Sequence, residues 1–360
     1  MNFFSVIVRA RAALLTCCCA AAPTAALAGA GLLTTTVTPL TPEVTYSTLA
    51  SASPARPKLD TFIGYTVSIA NGGGNTINNI RFTASTRVTD VDEKAVLSSI
   101  EGASCTVGGG GTTLDCAVGQ LKSGQALPAF AVFFKAPVKD TASPLADGVA
   151  GNCAATDCVA FSGTTYYAET TGGATSPVDN SVSEWAAAGV PLGTFNPTLV
   201  KSAVPKGGGH LFTGSGGLAT AADPFATSVT VPAGPAFTTA EIVETPDSLN
   251  CTNNFSACFR SDITIPGTFS PYLSIVLRQD ASTILKGTKI ESVLIEYSGS
   301  SGTILVGACA SPTTPRSDGL PCIAKRTYYK SSRTPGWTPD LDGDFEWLLI
   351  SLENGSYKVF

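Results

Sequence analysis

Near the carboxyl end, Asp340, Asp342, Asp344 and Glu346 fall at alternate positions around Gly343. Ca²⁺ gathers about six to eight oxygen ligands, and acidic side chains spaced this way can supply several of them, so this run is the strongest cation-binding candidate in the chain. It lacks the full EF-hand register. An Asp-Gly turn joining two strands uses the same residues for positive φ and solvation, and that reading is favoured. Tyr328, Tyr329 and Trp337 flank the run, with Arg326 and Arg333 close by. Such rings can stack on a sugar face or anchor a protein partner, because they offer large amphipathic area at small entropic cost. Trp337, between Gly336 and Pro339, reads as exposed, whereas Trp347 sits in an alternating segment and reads as core.

Catalytic constellations are missing. The chain has one histidine, His210, which follows the glycine-rich Lys206-Gly207-Gly208-Gly209 and reads as a solvated loop residue. Neither that stretch nor Gly214-Ser215-Gly216-Gly217 fits a phosphate-cradling loop, and no G-x-S-x-G elbow presents a serine. No catalytic residue and no cofactor beyond the candidate Ca²⁺ is expected.

Eleven cysteines occur. Cys17, Cys18 and Cys19 belong to the leader described below. The rest form close couples: Cys105 with Cys116, Cys153 with Cys158, Cys251 with Cys258, and Cys309 with Cys322. The absence of C-x-x-C spacing and the lone histidine argue against a metal site and for four local disulfides. Each would stabilise by at most about 3 kcal/mol, pinning a loop rather than joining domains.

The elements that carry these residues are almost all short strands. Tyr65 to Ile69 alternates apolar and polar residues and runs into the Asn71-Gly72-Gly73-Gly74 turn. Asn79–Thr83, Ala117–Leu121 and Pro128–Ala136 follow as strands. In the second half, Ser228–Val231, Ile263–Ile265, Leu273–Leu277, Ile290–Tyr297, Ala324–Lys330 and Glu346–Leu352 read the same way. Asn354-Gly355 reads as a hairpin turn into a last strand, and Leu33 to Pro57 as a linker or a first strand. Only Glu184 to Ala188 looks helical, over too short a span to count on.

Residues 1–28 read as a signal peptide. Arg9 and Arg11 precede an apolar stretch that ends at Ala26-Leu27-Ala28, a small-x-small cleavage site. That stretch, broken by Pro23, falls short of the roughly 20 residues that cross a bilayer, and the mature chain has no other transmembrane candidate. Charged residues make up 14% of the 360, against roughly 25% in an average soluble domain. With a formal net charge of -5 and no basic cluster, nucleic acid is excluded as a partner.

Tyr65 to Gly73, Asn79-Ile80-Arg81-Phe82, Cys105-Thr106, Leu114 to Gln125 and Asp179-Asn180-Ser181-Val182 together resemble the Ig-like repeat domain of unknown function common in bacterial surface proteins, over roughly residues 57–186. Two departures stand out: Ala136 to Ser162, with its own Cys153 and Cys158, looks inserted, and the usual Asp-x-Leu-Pro turn is missing. The resemblance implies an extracellular Ig-like sandwich without catalytic residues.

The expected architecture is therefore all-β, with two tandem β-sandwich domains, the first Ig-like, and local disulfides. Its organisation is 1–28 leader, 29–56 Thr/Pro-rich strand or linker, 57–192 first sandwich and 193–360 second sandwich, joined near Pro191 to Pro197. The leading functional expectation is a secreted, non-catalytic surface or extracellular structural protein able to self-assemble by strand pairing at sheet edges. The alternative is an extracellular adhesion module that binds a glycan or protein receptor through Trp337, Tyr328 and Tyr329.

Overall fold

The computed structural model describes residues 33–45, 61–87, 96–135, 158–167, 183–193, 198–214, 219–247, 251, 256–267, 269–328 and 343–360, with backbone alone at 87, 96, 158, 183–187 and 191–193. Among them the chain is all β, without an α-helix. Its first half contains β1 (Leu33–Pro39), β2 (Val44–Thr45), β3 (Phe62–Asn71), β4 (Ile77–Arg87), β5 (Val96–Glu101), β6 (Cys105–Gly108), β7 (Thr113–Leu121), β8 (Phe130–Lys135), β9 (Cys158–Tyr166) and β10 (Ser183–Gly193). The second half contains β11 (Leu199–Val204), β12 (Gly209–Phe212), β13 (Phe225–Val231), β14 (Thr238–Pro246), β15 (Phe259–Thr264), β16 (Leu273–Gln279), β17 (Ile295–Gly299), β18 (Gly302–Leu305), β19 (Cys322–Tyr328), β20 (Phe345–Ser351) and β21 (Gly355–Val359).

Three sheets result. A six-stranded sheet in the order β2-β10-β9-β4-β7-β6 faces β1, β3, β8 and β5 across the first core. Period-two alternation sends Tyr65, Phe82, Phe130, Phe134 and Phe161 inward, all essentially inaccessible. Tyr65 stacks on Phe161 at 5.1 Å and its hydroxyl donates to the Val159 carbonyl at 2.6 Å, so the ring is buried without an unmet polar group. Burying each such ring contributes about 1.5–3 kcal/mol. Gly163 lies under Phe82, where a Cβ would come 2.2 Å from the ring, so the close approach of β9 to that side chain requires glycine.

A five-stranded sheet, β12-β13-β16-β20-β19, covers the second core against β11, β14, β15, β21 and β17. Trp347 is fully buried there and Phe225 stacks on Phe259 at 4.6 Å. These outer strands of the second half and those of the first belong to one ten-stranded sheet, because β11 pairs with β3 at Ala203 and Phe62.

Several expectations need correction. The stretch from Glu184 to Ala188 is strand, part of β10, held by nine register pairs with β9. Ile290–Ser292 is a 3-10 turn, and the strand begins only at Ile295. His210 lies in β12, paired with Thr230 of β13, rather than in a loop. Asn354-Gly355 does not close a hairpin: β20 pairs with β16 and β19, whereas β21 pairs with β15 and β17, so the chain crosses between sheets there. The Tyr297 hydroxyl lies 2.9 Å from the Asn354 carbonyl and 3.0 Å from a Glu353 carboxylate oxygen, and a Cβ on Gly355 would sit 2.5 Å from the Tyr297 ring. Glycine serves close packing at this corner. Leu33–Pro39 is a strand that pairs with β3 of its own chain, with Leu33 and Val37 in the core.

Three of the expected disulfides are formed: Cys105–Cys116, Cys251–Cys258 and Cys309–Cys322. Cys153 lies outside the described residues, as does the leader.

Candidate functional site

The residues singled out in the sequence do not converge on one site. Asp344 is buried, and its Oδ1 accepts from the backbone N–H of Ala281 at 2.9 Å, bracing a 3-10 turn. Glu346 sits opposite Arg278 in the β16–β20 register and accepts from its Nε at 2.7 Å, with both side chains mostly buried. Both carboxylates therefore serve structural contacts. Among the described residues no cluster of three or more His, Cys, Asp or Glu side chains could hold a metal. Tyr328 ends β19, 47% exposed, with its ring edge against Phe345 at 5.3 Å. Tyr329, Trp337, Asp340 and Asp342 lie outside the described residues. The His210 ring Nδ1 lies 2.5 Å from the Thr230 hydroxyl, and burial, aided by Arg278, holds its pKa below the ordinary value. A neutral, tethered imidazole on an edge strand is a structural group.

An open concave feature lies elsewhere, on the outer face of the six-stranded sheet. With Phe82 and Ala84 of β4, Leu114 and Cys116 of β7 and Phe161 of β9 turned into the core, alternation turns their neighbours outward. Register then aligns these outward residues across the strands. One rank runs Ser162, Ser85, Thr113, Gly108; the next runs Thr164, Thr83, Asp115, Thr106. A third places Tyr166, Arg81 and Ala117 side by side. Irregular pairing between Ile77 and Arg81 interrupts β4 beside the ranks, the kind of irregularity that bends a strand. The result is a trough of about 510 Å³ lined by hydroxyls.

Electrostatics in the trough are local. Arg81 donates from Nε to Asp115 Oδ1 at 3.1 Å and from its other nitrogen to Oδ2, a bidentate pair that leaves little net charge. The Thr106 hydroxyl bonds the Asp115 carbonyl at 3.3 Å. The hydroxyls of Thr83, Ser85, Thr113, Ser162 and Thr164 make no hydrogen bond to another described residue, so their donors and acceptors face solvent. Backbone register also sets Trp185 of β10 opposite Thr164. No motif marks this trough in the sequence, because its residues come from four strands spread over residues 83–164. The only available signal was the run of Ser and Thr at outward positions of β4 and β9.

A second internal feature is polar. Glu244 points inward from β14 and is 5% exposed, with its Oε1 accepting from the Thr227 hydroxyl at 2.6 Å. Burial pushes its pKa up to about 7, with Asp223 adding to the rise and the Thr227 and Thr213 hydroxyls opposing it.

No protein-family model matches the chain, and no curated protein does. Solved structures give distant likenesses. A crystal structure of BslA, described as a bacterial hydrophobin, aligns with 46% of this chain and 97% of its own at 10% identity and a TM-score of 0.24. The collagen-binding domain of a Staphylococcus aureus adhesin aligns with 35% of this chain and 87% of its own at 11% identity and a TM-score of 0.20. Among the described residues no helix is long and apolar enough to cross a membrane.

Proposed function

We propose that this chain is a secreted, non-catalytic protein of the cell surface or extracellular space that binds a partner through the trough on its first half. The observation that carries the reading is the concentration of unpartnered hydroxyls in a concave sheet face of about 510 Å³. Local disulfides support an oxidising compartment, as does the leader read from residues 1–28. The neutral, strand-bound His210 supports a non-catalytic role. The test is retention of the labelled chain, without residues 1–28, on arrays of immobilised polysaccharides and polypeptides. Wild type is retained on at least one surface and Ser85→Trp, which fills the trough, is not. Absence of retention on every surface overturns the reading.

A structural, self-assembling role is the second reading. It is favoured by Leu305, which ends the short edge strand β18, and Leu294, just before its neighbour β17, 58% and 43% exposed. Native mass by light scattering separates the two, since assembly through that edge gives large particles that Leu305→Lys disperses.

A further inference from the structure

We propose that the trough takes a neutral, linear polysaccharide laid across the strands, an inference that rests on the binding reading above. The first support is the chemistry of the lining. Each hydroxyl offers one donor and two acceptor positions, and a sugar polymer offers the same, so contacts can form in either direction without desolvating a charge. The second is charge. The Arg81–Asp115 pair is bidentate, with the Tyr166 side chain engaging the same guanidinium, so the ranks provide no surplus cation for a polyanion and no surplus anion for a polycation.

Periodicity is the third support. Strands stand about 4.8 Å apart and outward residues on one strand about 6.7 Å apart, so the two ranks form a repeating grid matched to a repeating ligand rather than to one small molecule. Tyr166, beside Arg81 in the third rank, adds an aromatic ring at the margin.

A polypeptide fits the same place less well. Strand addition needs a free edge with pockets for alternate side chains. The edge here is β6, only four residues long, ending in glycines of positive φ at Gly109, Gly110 and Gly111. Val107 is the one large exposed apolar side chain in the lining, beside the small Ala84 and the buried Leu114, so a peptide would find a single apolar contact here rather than a row of side-chain pockets.

The test is affinity electrophoresis of the chain without residues 1–28 in gels containing hydroxyethyl cellulose, dextran, dextran sulfate or gelatin. Retardation by a neutral glucan is expected, weakened about tenfold by Ser85→Trp, a loss of about 1.4 kcal/mol. Thr83→Val with Thr164→Val removes two hydroxyls at nearly constant shape in positions where β-branched residues suit a strand, so binding falls while the thermal midpoint holds. Retardation by gelatin but not by either neutral glucan, abolished by Ser85→Trp, keeps the trough as a binding site and overturns the glycan assignment. Stronger retardation by dextran sulfate than by dextran overturns it through charge. Glucan binding that ignores Ser85→Trp places the ligand elsewhere and overturns it through position. No retardation in any gel removes both this inference and the binding reading.

Discussion

At the scale of single residues, Glu244 sets a pH dependence on the whole fold. Its carboxyl group is held between two sheets with only hydroxyl partners, and the nearby Asp223, itself pushed upward by burial, adds repulsion. In the unfolded chain the group titrates near its ordinary 4.5, while in the fold it titrates near 7. Below the lower value both states hold the proton and the group costs nothing. Between the two values the folded state alone retains it, and above 7 the fold must carry a buried anion, at a cost of about 3 kcal/mol. Stability from this residue is therefore present in mild acid and lost as pH rises through 7. The thermal midpoint should be higher at pH 5 than at pH 8, and Glu244→Gln should raise the pH 8 value and remove most of the difference. Glu346 shows the opposite case. In the sequence it completes an acidic row, yet the fold sets Arg278 directly across from it, and no local spacing displays a partner 68 residues away.

At the scale of elements, strands were readable wherever one face is buried and the other wet. The Tyr65–Ile69 and Leu273–Leu277 runs alternate cleanly, and the structure extends them into β3 and β16. Reading failed where composition and environment disagree. The Ala186-Ala187-Ala188 run suits a helix, yet pairing along the whole of β9 makes it a strand, an override of local propensity by tertiary contacts. Asn354-Gly355 has hairpin chemistry, but the corner between sheets uses Gly355 to admit the Tyr297 ring, which depends on a residue far upstream. The trough was invisible for the same reason, since register across four strands makes it. Its outer strand, β6, hangs on one neighbour and on the Cys105–Cys116 bridge, which closes a separation of 11 residues. Replacing both cysteines by serine should cost at most about 3 kcal/mol overall. The larger effect should be local: amides of Cys105–Gly108 should exchange faster while those of β4 and β9 stay protected, and ligand retention should fall with them.

At the scale of the whole molecule, composition announced strands, but not how the halves meet. The edge of β3 is shared, with β1 taking Tyr65–Asn71 and β11 taking Phe62. Around that junction the Phe62 N–H donates to the Ser202 hydroxyl at 2.8 Å, and the Lys206 N–H donates to Glu101 Oε1 at 2.6 Å. Lys201 pairs with Glu43 at 3.3 Å, and the Phe133 and Phe237 rings meet edge-on at 6.0 Å over Ala131 and Ala203. Two sandwiches joined only by a linker would unfold independently, whereas halves that share a sheet and an apolar contact are coupled, each losing its partner's contacts when the other melts. A single calorimetric transition is therefore expected for the wild type. Ser202→Ala leaves the Phe62 N–H without its partner and Phe237→Ala empties the ring contact, together costing about 2–4 kcal/mol at the junction. That double variant should split the transition in two while each half keeps its own core. Under the proposed binding role the coupling has a mechanical consequence: force on a chain held at the trough would pass through β9 and β4 to the first core, and from β3 into β11, so separating the halves should shorten residence under flow more than it changes affinity at rest.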